Sequence, residues 1–237
     1  MEVKINSSEL LKALNHVHGI VEVRHTLPIL SNIILIAKDD ILSLSSTNLD
    51  IYCSDVISAE IQTAGEISVS AITFFEIVKR LPAGSDVIMS MESTDSELVI
   101  KCGRSKFNLS TLKIDDFPTI SDADLSTAFV MTSEELIRLV DKTKFAISNE
   151  ETRYYLNGIF FHKAERNSIQ FLRAVATDGH RLAQYDIPLP QGAEDMTGII
   201  IPKKTIQELR KVLDDADGDI NISCLLYTSD AADDTPC

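Results

Sequence analysis

Apolar residues along this chain alternate between two spacings, and the sequence of spacings runs through twice. Leu10, Leu11, Leu14 and Val17 recur at helical intervals after Ser7-Ser-Glu9, a cap-like start with an acid in the first turn, which predicts a helix over 7–25. The same features return at Thr132-Ser-Glu-Glu135 followed by Leu136, Ile137, Val140 and, one turn on, Lys144-Phe145, predicting a helix over 132–147. Each half carries a second helix: 71–81 on Phe74, Phe75, Ile77, Val78 and Leu81, and 202–214 on Ile206, Leu209, Val212 and Leu213. Strand-like runs fill the remainder, among them Glu2 to Ile5, Ile29 to Ile36, Ile41 to Ser45, Ile67 to Ser70, Phe129 to Met131, Ile159 to Phe161 and Asp219 to Ser223. Two helices on one face of an antiparallel sheet in each half make the fold class α+β.

The two halves also share words. Asn6-Ser-Ser-Glu-Leu-Leu-Lys12 returns 126 residues later as Thr132-Ser-Glu-Glu-Leu-Ile-Arg138, and Thr47-Asn-Leu-Asp50 returns 130 later as Thr177-Asp-Gly-His180. The segment Glu66 to Leu81 returns 132 later as Gly198 to Leu213. Three matches in one order with nearly constant offset point to two copies of one domain. They place domain 1 at 1–120 and domain 2 at 121–223, joined through the acidic stretch Asp115 to Asp124. The stretch 224–237 departs from this grammar and resembles the translation of a sequencing adapter, so it is set aside as a non-native tail.

Composition narrows the classes. With 237 residues, 44% of them hydrophobic, and no apolar run near a membrane span, the chain reads as soluble, unexported and cytoplasmic. Its four cysteines show no paired spacing, so neither a zinc site nor a disulfide framework is signalled, and no cofactor or metal is expected. A net charge of −14 argues against a nucleic-acid partner until the charges are placed; removing Asp230, Asp233 and Asp234 of the tail brings it to −11. The four predicted helices carry eleven of the 22 basic residues and only eight acids, a balance of +3, while everything else carries −17. An acidic protein so partitioned can present a positive face to phosphates.

Five segments resemble the bacterial DNA polymerase III beta subunit, the sliding clamp: Arg24 to Asn32, Gly103 to Leu112, Asp116-Phe-Pro118, Arg153-Tyr-Tyr-Leu-Asn-Gly158 and Ala176-Thr-Asp-Gly-His-Arg-Leu-Ala183. The resemblance covers residues 1 to about 223 and implies the DNA clamp fold, in which three similar domains per chain close head-to-tail into a homodimeric ring around duplex DNA. It implies a non-catalytic processivity factor, associated with the nucleoid. Its partners would be double-stranded DNA without sequence preference, the polymerase III catalytic subunit, a clamp loader, and other polymerases and repair proteins. By the resemblance, only two of the three domains are expected here, with the second incomplete, so this chain alone would not close a ring.

The resemblance also carries site residues. Arg24, Asn149, Tyr154, Tyr155, Lys203 and Lys204 match positions near DNA, although Asn149 stands where a glutamine is expected. Arg153, Leu156, Thr177, Gly179, His180, Arg181 and Leu182 match the wall of a pocket for client peptides. The residues alone read Asp178-Gly179 as a hairpin turn between Arg173-Ala-Val-Ala-Thr177 and Arg181-Leu-Ala-Gln-Tyr185. Phe74, Ile77, Phe107 and Leu109 match a subunit contact, with Ile72-Thr73 in place of an expected basic pair. Two rival readings stand beside this one. Asp178, His180 and His162 would suit a hydrolase or metal site, but no motif supplies a nucleophile or third ligand. A two-domain fragment would serve only as a peptide-binding or interaction module.

Overall fold

The computed structural model describes residues 1–21, 27–91, 97–114, 117–118, 127–150 and 152–224. Arg24, most of the acidic linker and residues 225–237 therefore lie outside the described residues. The chain divides into two compact units, Met1–Ile120 and Ser121–Cys237.

Unit 1 begins with β1 (Glu2–Asn6) and α1 (Ser7–Val17), followed by β2 (Asn32–Lys38), β3 (Ile41–Thr47), β4 (Tyr52–Ser58), β5 (Glu60–Thr63) and β6 (Gly65–Ser70). It continues with α2 (Ala71–Lys79), β7 (Asp86–Ser90), β8 (Glu97–Cys102) and β9 (Ser105–Leu112). The strands form one antiparallel sheet in the order β4-β3-β2-β6-β9-β8-β7-β1-β5. β9 joins its halves, because Ser68 and Val69 of β6 pair with Leu112 and Thr111. Leu10, Leu14 and Val17 of α1 and Phe74 and Val78 of α2 share one core with Val3, Leu35, Val69, Val87 and Ile100 of the sheet.

Unit 2 repeats the plan with fewer strands: β10 (Thr127–Thr132), α3 (Ser133–Asp141), β11 (Gly158–Arg166), β12 (Ile169–Thr177), β13 (Leu182–Pro188), β14 (Ile199–Pro202), α4 (Lys203–Asp214) and β15 (Asp219–Cys224). β10 pairs with β15, Phe129 opposite Ile222 and Met131 opposite Ile220, just as β1 pairs with β7, Val3 opposite Met89 and Ile5 opposite Val87. The other four strands run β13-β12-β11-β14. Among the described residues no strand joins β14 to β15, where unit 1 has β8 and β9. An apolar cavity of about 330 Å³, lined by Phe129, Met131, Phe161, Ile220 and Ile222 among others, opens into the core there.

Several boundaries differ from the periodicity. The helix expected over 7–25 ends at Val17, because His18 turns its ring back on the Leu14 carbonyl (2.8 Å) and Gly19 follows; a 3-10 turn, His18–Ile20, comes next, and residues 22–25 of the expected helix lie outside the described residues. The run from Ile29 is not strand until Asn32. Pro28 opens a 3-10 turn through Ser31, and Ile29 and Leu30 bury in a small cluster with Ile34. α3 stops at Asp141, since the Thr143 hydroxyl donates to the Leu139 carbonyl (2.7 Å) and competes with helix continuation. Among the described residues no helix is long and apolar enough to cross a membrane.

Candidate functional sites

The helical side of unit 2 carries a basic groove. α3 opens with a complete capping box, Thr132 with Glu135, and with acids in its first turn. α4 does the opposite: Pro202 gives no side-chain cap, and Lys203 and Lys204 sit at the positive end of the helix dipole. Placing two cations where the helix itself disfavours them concentrates positive potential at that end. Lys203 is anchored by its backbone N–H to the Asn157 carbonyl (3.0 Å), and its ammonium donates to Asn149 Oδ1. The structure thus brings together two residues expected near DNA from 54 positions apart.

Behind them lies a cavity of about 460 Å³ lined by Lys144, Ile147, Lys203, Ile206, Arg210 and Lys211 among others. Asp141 links the helices, accepting from Lys144 Nζ (2.6 Å) and Arg210 Nε (3.1 Å). Burial pushes the Asp141 carboxyl up, but these hydrogen bonds outweigh it and hold it below the ordinary carboxylate range. Hydrogen bonds to Asp141 and then Asp214 push the Arg210 guanidinium up in turn. Tyr154 and Tyr155 lie on a 3-10 turn, Tyr154–Leu156, rather than on a strand. Their rings stand edge to face at 5.6 Å, and Tyr154 is 80% exposed. Beyond that ring contact, a large aromatic left so open keeps most of its surface accessible.

The second constellation is the β12–β13 hairpin. Asp178 Oδ1 accepts the backbone N–H groups of His180 and Arg181 (both 3.0 Å), and Thr177 Oγ1 donates to the Arg181 carbonyl (2.7 Å). Gly179 holds φ +89°, a conformation side chains resist. The Asp178 carboxyl is held below its usual range by those backbone N–H groups first, with the Arg181 guanidinium adding to them. Its oxygens are thereby occupied within the turn, which also fixes His180 and Leu182 outward. Leu182 is 63% exposed. Arg153 stands beside the turn, its Nη1 3.8 Å from where a Cβ on Gly179 would lie. Leu156, on the same 3-10 turn as the tyrosines, is half-buried. His162, grouped with Asp178 in the hydrolase reading, stacks on Phe160 at 4.7 Å in β11.

Helical spacing misplaced one residue of this cluster. Phe145, expected to extend the buried face of α3, sits on the separate turn Lys144–Ala146 and is 58% exposed, with the Arg181 guanidinium 5.8 Å above its ring. The break at Thr143 rotates it out of the core. An aromatic two residues beyond a Thr able to interrupt a helix was the signal available.

β12 and β13 are clamped by Arg173 and Asp186, directly opposite in the register and joined by two 2.8 Å hydrogen bonds. The guanidinium outweighs burial and holds the Asp186 carboxyl below its usual range. A depressed carboxylate stabilises the fold above the unfolded range near pH 4, and that contribution disappears as pH falls through the folded value. Asp186→Asn is therefore expected to cost about 1–2 kcal/mol at pH 7 and to have a shallower loss of stability than the parent as pH falls below about 4, as read by melting against pH.

The four residues expected at a subunit contact separate in unit 1. Phe74 has no exposed surface and Leu109 is buried, so both are core and offer nothing to a partner in this conformation. Ile77 and Phe107 pack partly buried against that core and retain accessible surface.

The family comparisons match this division in order. The N-terminal domain model of the DNA polymerase III beta subunit matches residues 1–121, and the central domain model matches 130–228. The chain belongs to the DNA polymerase III beta subunit family. A beta sliding clamp of Caulobacter vibrioides is 50% identical over 216 residues, 91% of this chain and 58% of that protein; one of Escherichia coli is 34% identical over 223 residues, 94% and 59%. Among solved structures, a Caulobacter crescentus beta sliding clamp superposes with a TM-score of 0.91 at 48% identity, covering 94% of this chain and 60% of that one. A Bartonella birtlesii clamp bound to griselimycin gives 0.90 at 41%, covering 95% and 60%. The chain thus spans about three fifths of the length of these relatives. The fold class read from the sequence, α+β in repeated clamp domains, is that of the family.

Proposed function

We propose that this chain is the part of a sliding clamp that faces duplex DNA with its helices and receives client peptides at the β12–β13 hairpin. In the assembled clamp it is a non-catalytic processivity factor, working where the chromosome is copied, in the cytoplasm. The observation that carries this reading is the order of the two family matches on two units, each presenting paired helices beside antiparallel sheet. A processivity factor acts by staying on DNA, so its contacts are to phosphates and carry no sequence information. Lys203, Lys204, Asn149 and Tyr154 supply such contacts in unit 2, with Tyr155 beside them, and Arg24 does so in unit 1. In the full-length form two chains would complete a homodimeric ring through surfaces that include Ile77 and Phe107, and a clamp loader would open it.

The peptide site consists of Leu182, Leu156, Gly179 and Thr177 as apolar and backbone surface, with Arg153, His180 and Arg181 as polar anchors. Griselimycin, bound by the Bartonella clamp and by one from Pseudomonas aeruginosa, is a ready probe. Because Leu182 is largely exposed, Leu182→Ala is expected to leave stability within about 0.5 kcal/mol yet weaken griselimycin about tenfold by calorimetric titration. An unchanged affinity would remove the hairpin from the site. The rival reading as an interaction module predicts peptide binding without any salt-dependent affinity for duplex.

A further inference from the structure

We infer that Glu208 and Asp214 act as internal competitors for DNA phosphate, keeping the basic groove of unit 2 in weak, exchangeable contact with the duplex; this rests on the DNA-facing reading above. The groove holds four cations, Lys144, Lys203, Arg210 and Lys211. Three of them meet carboxylates of the same unit: Lys144 meets Asp141, Arg210 meets Asp141 and Asp214, and Lys211 meets Glu208. Lys203 meets the neutral amide oxygen of Asn149. The groove is thus rich in positive groups but nearly balanced in charge.

Glu208 is placed unlike an ordinary helix-surface acid. Its side chain is only 12% exposed while that of Lys211 is 50% exposed, and both of its oxygens accept from Lys211 Nζ, at 2.8 and 2.7 Å. A solvated carboxylate one turn away could swing into water when a phosphate arrives. This one is held in the groove wall, where leaving its cation strands a partly buried charge. A phosphate reaching Lys211 must therefore share the ammonium with Glu208, so each contact is weaker than the cation count implies and exchanges readily along the backbone. Asp214, with a side chain 65% exposed, does the same for Arg210 less rigidly.

The test is fluorescence anisotropy of a labelled duplex with the full chain across a salt series, using Glu208→Gln, Asp214→Asn, Lys211→Ala, Lys203→Ala and the double variant Glu208→Gln with Lys211→Ala. Glu208→Gln keeps the side-chain shape. It is expected to bind roughly threefold more tightly and to steepen the slope of log affinity against log salt by about 0.9, one additional phosphate contact. The gain should vanish in the double variant. Asp214→Asn is expected to tighten binding by a smaller factor, and it decides the matter if Glu208→Gln does not fold. If the lysine variants weaken binding while both acid variants bind as the parent does, the DNA-facing reading stands and this inference is overturned. If no variant and no parent chain binds duplex with a salt dependence, both are overturned.

Discussion

Phe74→Ala is expected to remove about 3–5 kcal/mol from the stability of unit 1 without any partner being present. Phe74 lies on α2 with no exposed surface, in one core with Leu10 and Leu14 of α1 and Val69 of β6, so truncation leaves a cavity where two helices meet the sheet. Against a typical stability of about 5–15 kcal/mol this is a large fraction, and it lowers the melting temperature on the order of 10–20 °C. Hydrogen exchange localises the loss: amides of β2, β6 and β8 are expected to lose protection while those of β11 to β13 keep it. If Phe74 instead served a subunit contact, the isolated chain would melt within about 0.5 kcal/mol of the parent, and only self-association would change.

Gly158→Ala is expected to be strongly damaging to unit 2, costing at least about 2–4 kcal/mol. A Cβ there would lie 2.4 Å from the Ile201 carbonyl oxygen and 2.8 Å from Ile200 Cγ2. The first is backbone, and it cannot turn aside as a side-chain end would. Gly158 pairs with Pro202, the residue before α4, and the preceding Asn157 carbonyl accepts from Lys203 N–H. Displacing β14 therefore moves the start of α4 and the Lys203–Asn149 contact with it. Duplex binding should fall together with stability, by thermal melting and anisotropy on one preparation. Gly103→Ala is the control: its φ of +56° strains a side chain, but nothing lies within 4 Å, so the cost should stay near about 1 kcal/mol.

What could be read in the sequence was what local chemistry encodes. The α1 and α3 faces follow from the spacing of Leu10, Leu14 and Val17 and of Leu136 and Val140, and their starts from Ser7-Ser-Glu9 and Thr132-Ser-Glu-Glu135, although the residue that caps α1 is Asn6. The β12–β13 turn follows from Asp178-Gly179, whose carboxylate and positive φ build it. What stayed hidden depends on long-range partners or on competition at element ends. β4 alternates half-buried and exposed positions with little apolar contrast, so its pairing to β3 is set by tertiary contact rather than pattern. The length of α1 turns on a histidine ring meeting a carbonyl, and the exposure of Phe145 on a threonine hydroxyl ending α3. Phe74 and Ile77 look alike in sequence; only packing shows that one is fully enclosed and the other is not. The basic surplus on the helices was visible in the sequence, but its near-cancellation in the groove required the positions of Asp141, Glu208 and Asp214.

The measurement that bears most directly on the central claim is the affinity of the 237-residue chain for two duplexes of equal length and unrelated sequence, followed from low to physiological salt. The account predicts weak binding with equal affinities for the two duplexes, falling linearly in log salt, with a shallower slope after Lys203→Ala. A marked preference for one sequence, or an affinity indifferent to salt and to Lys203, would contradict it.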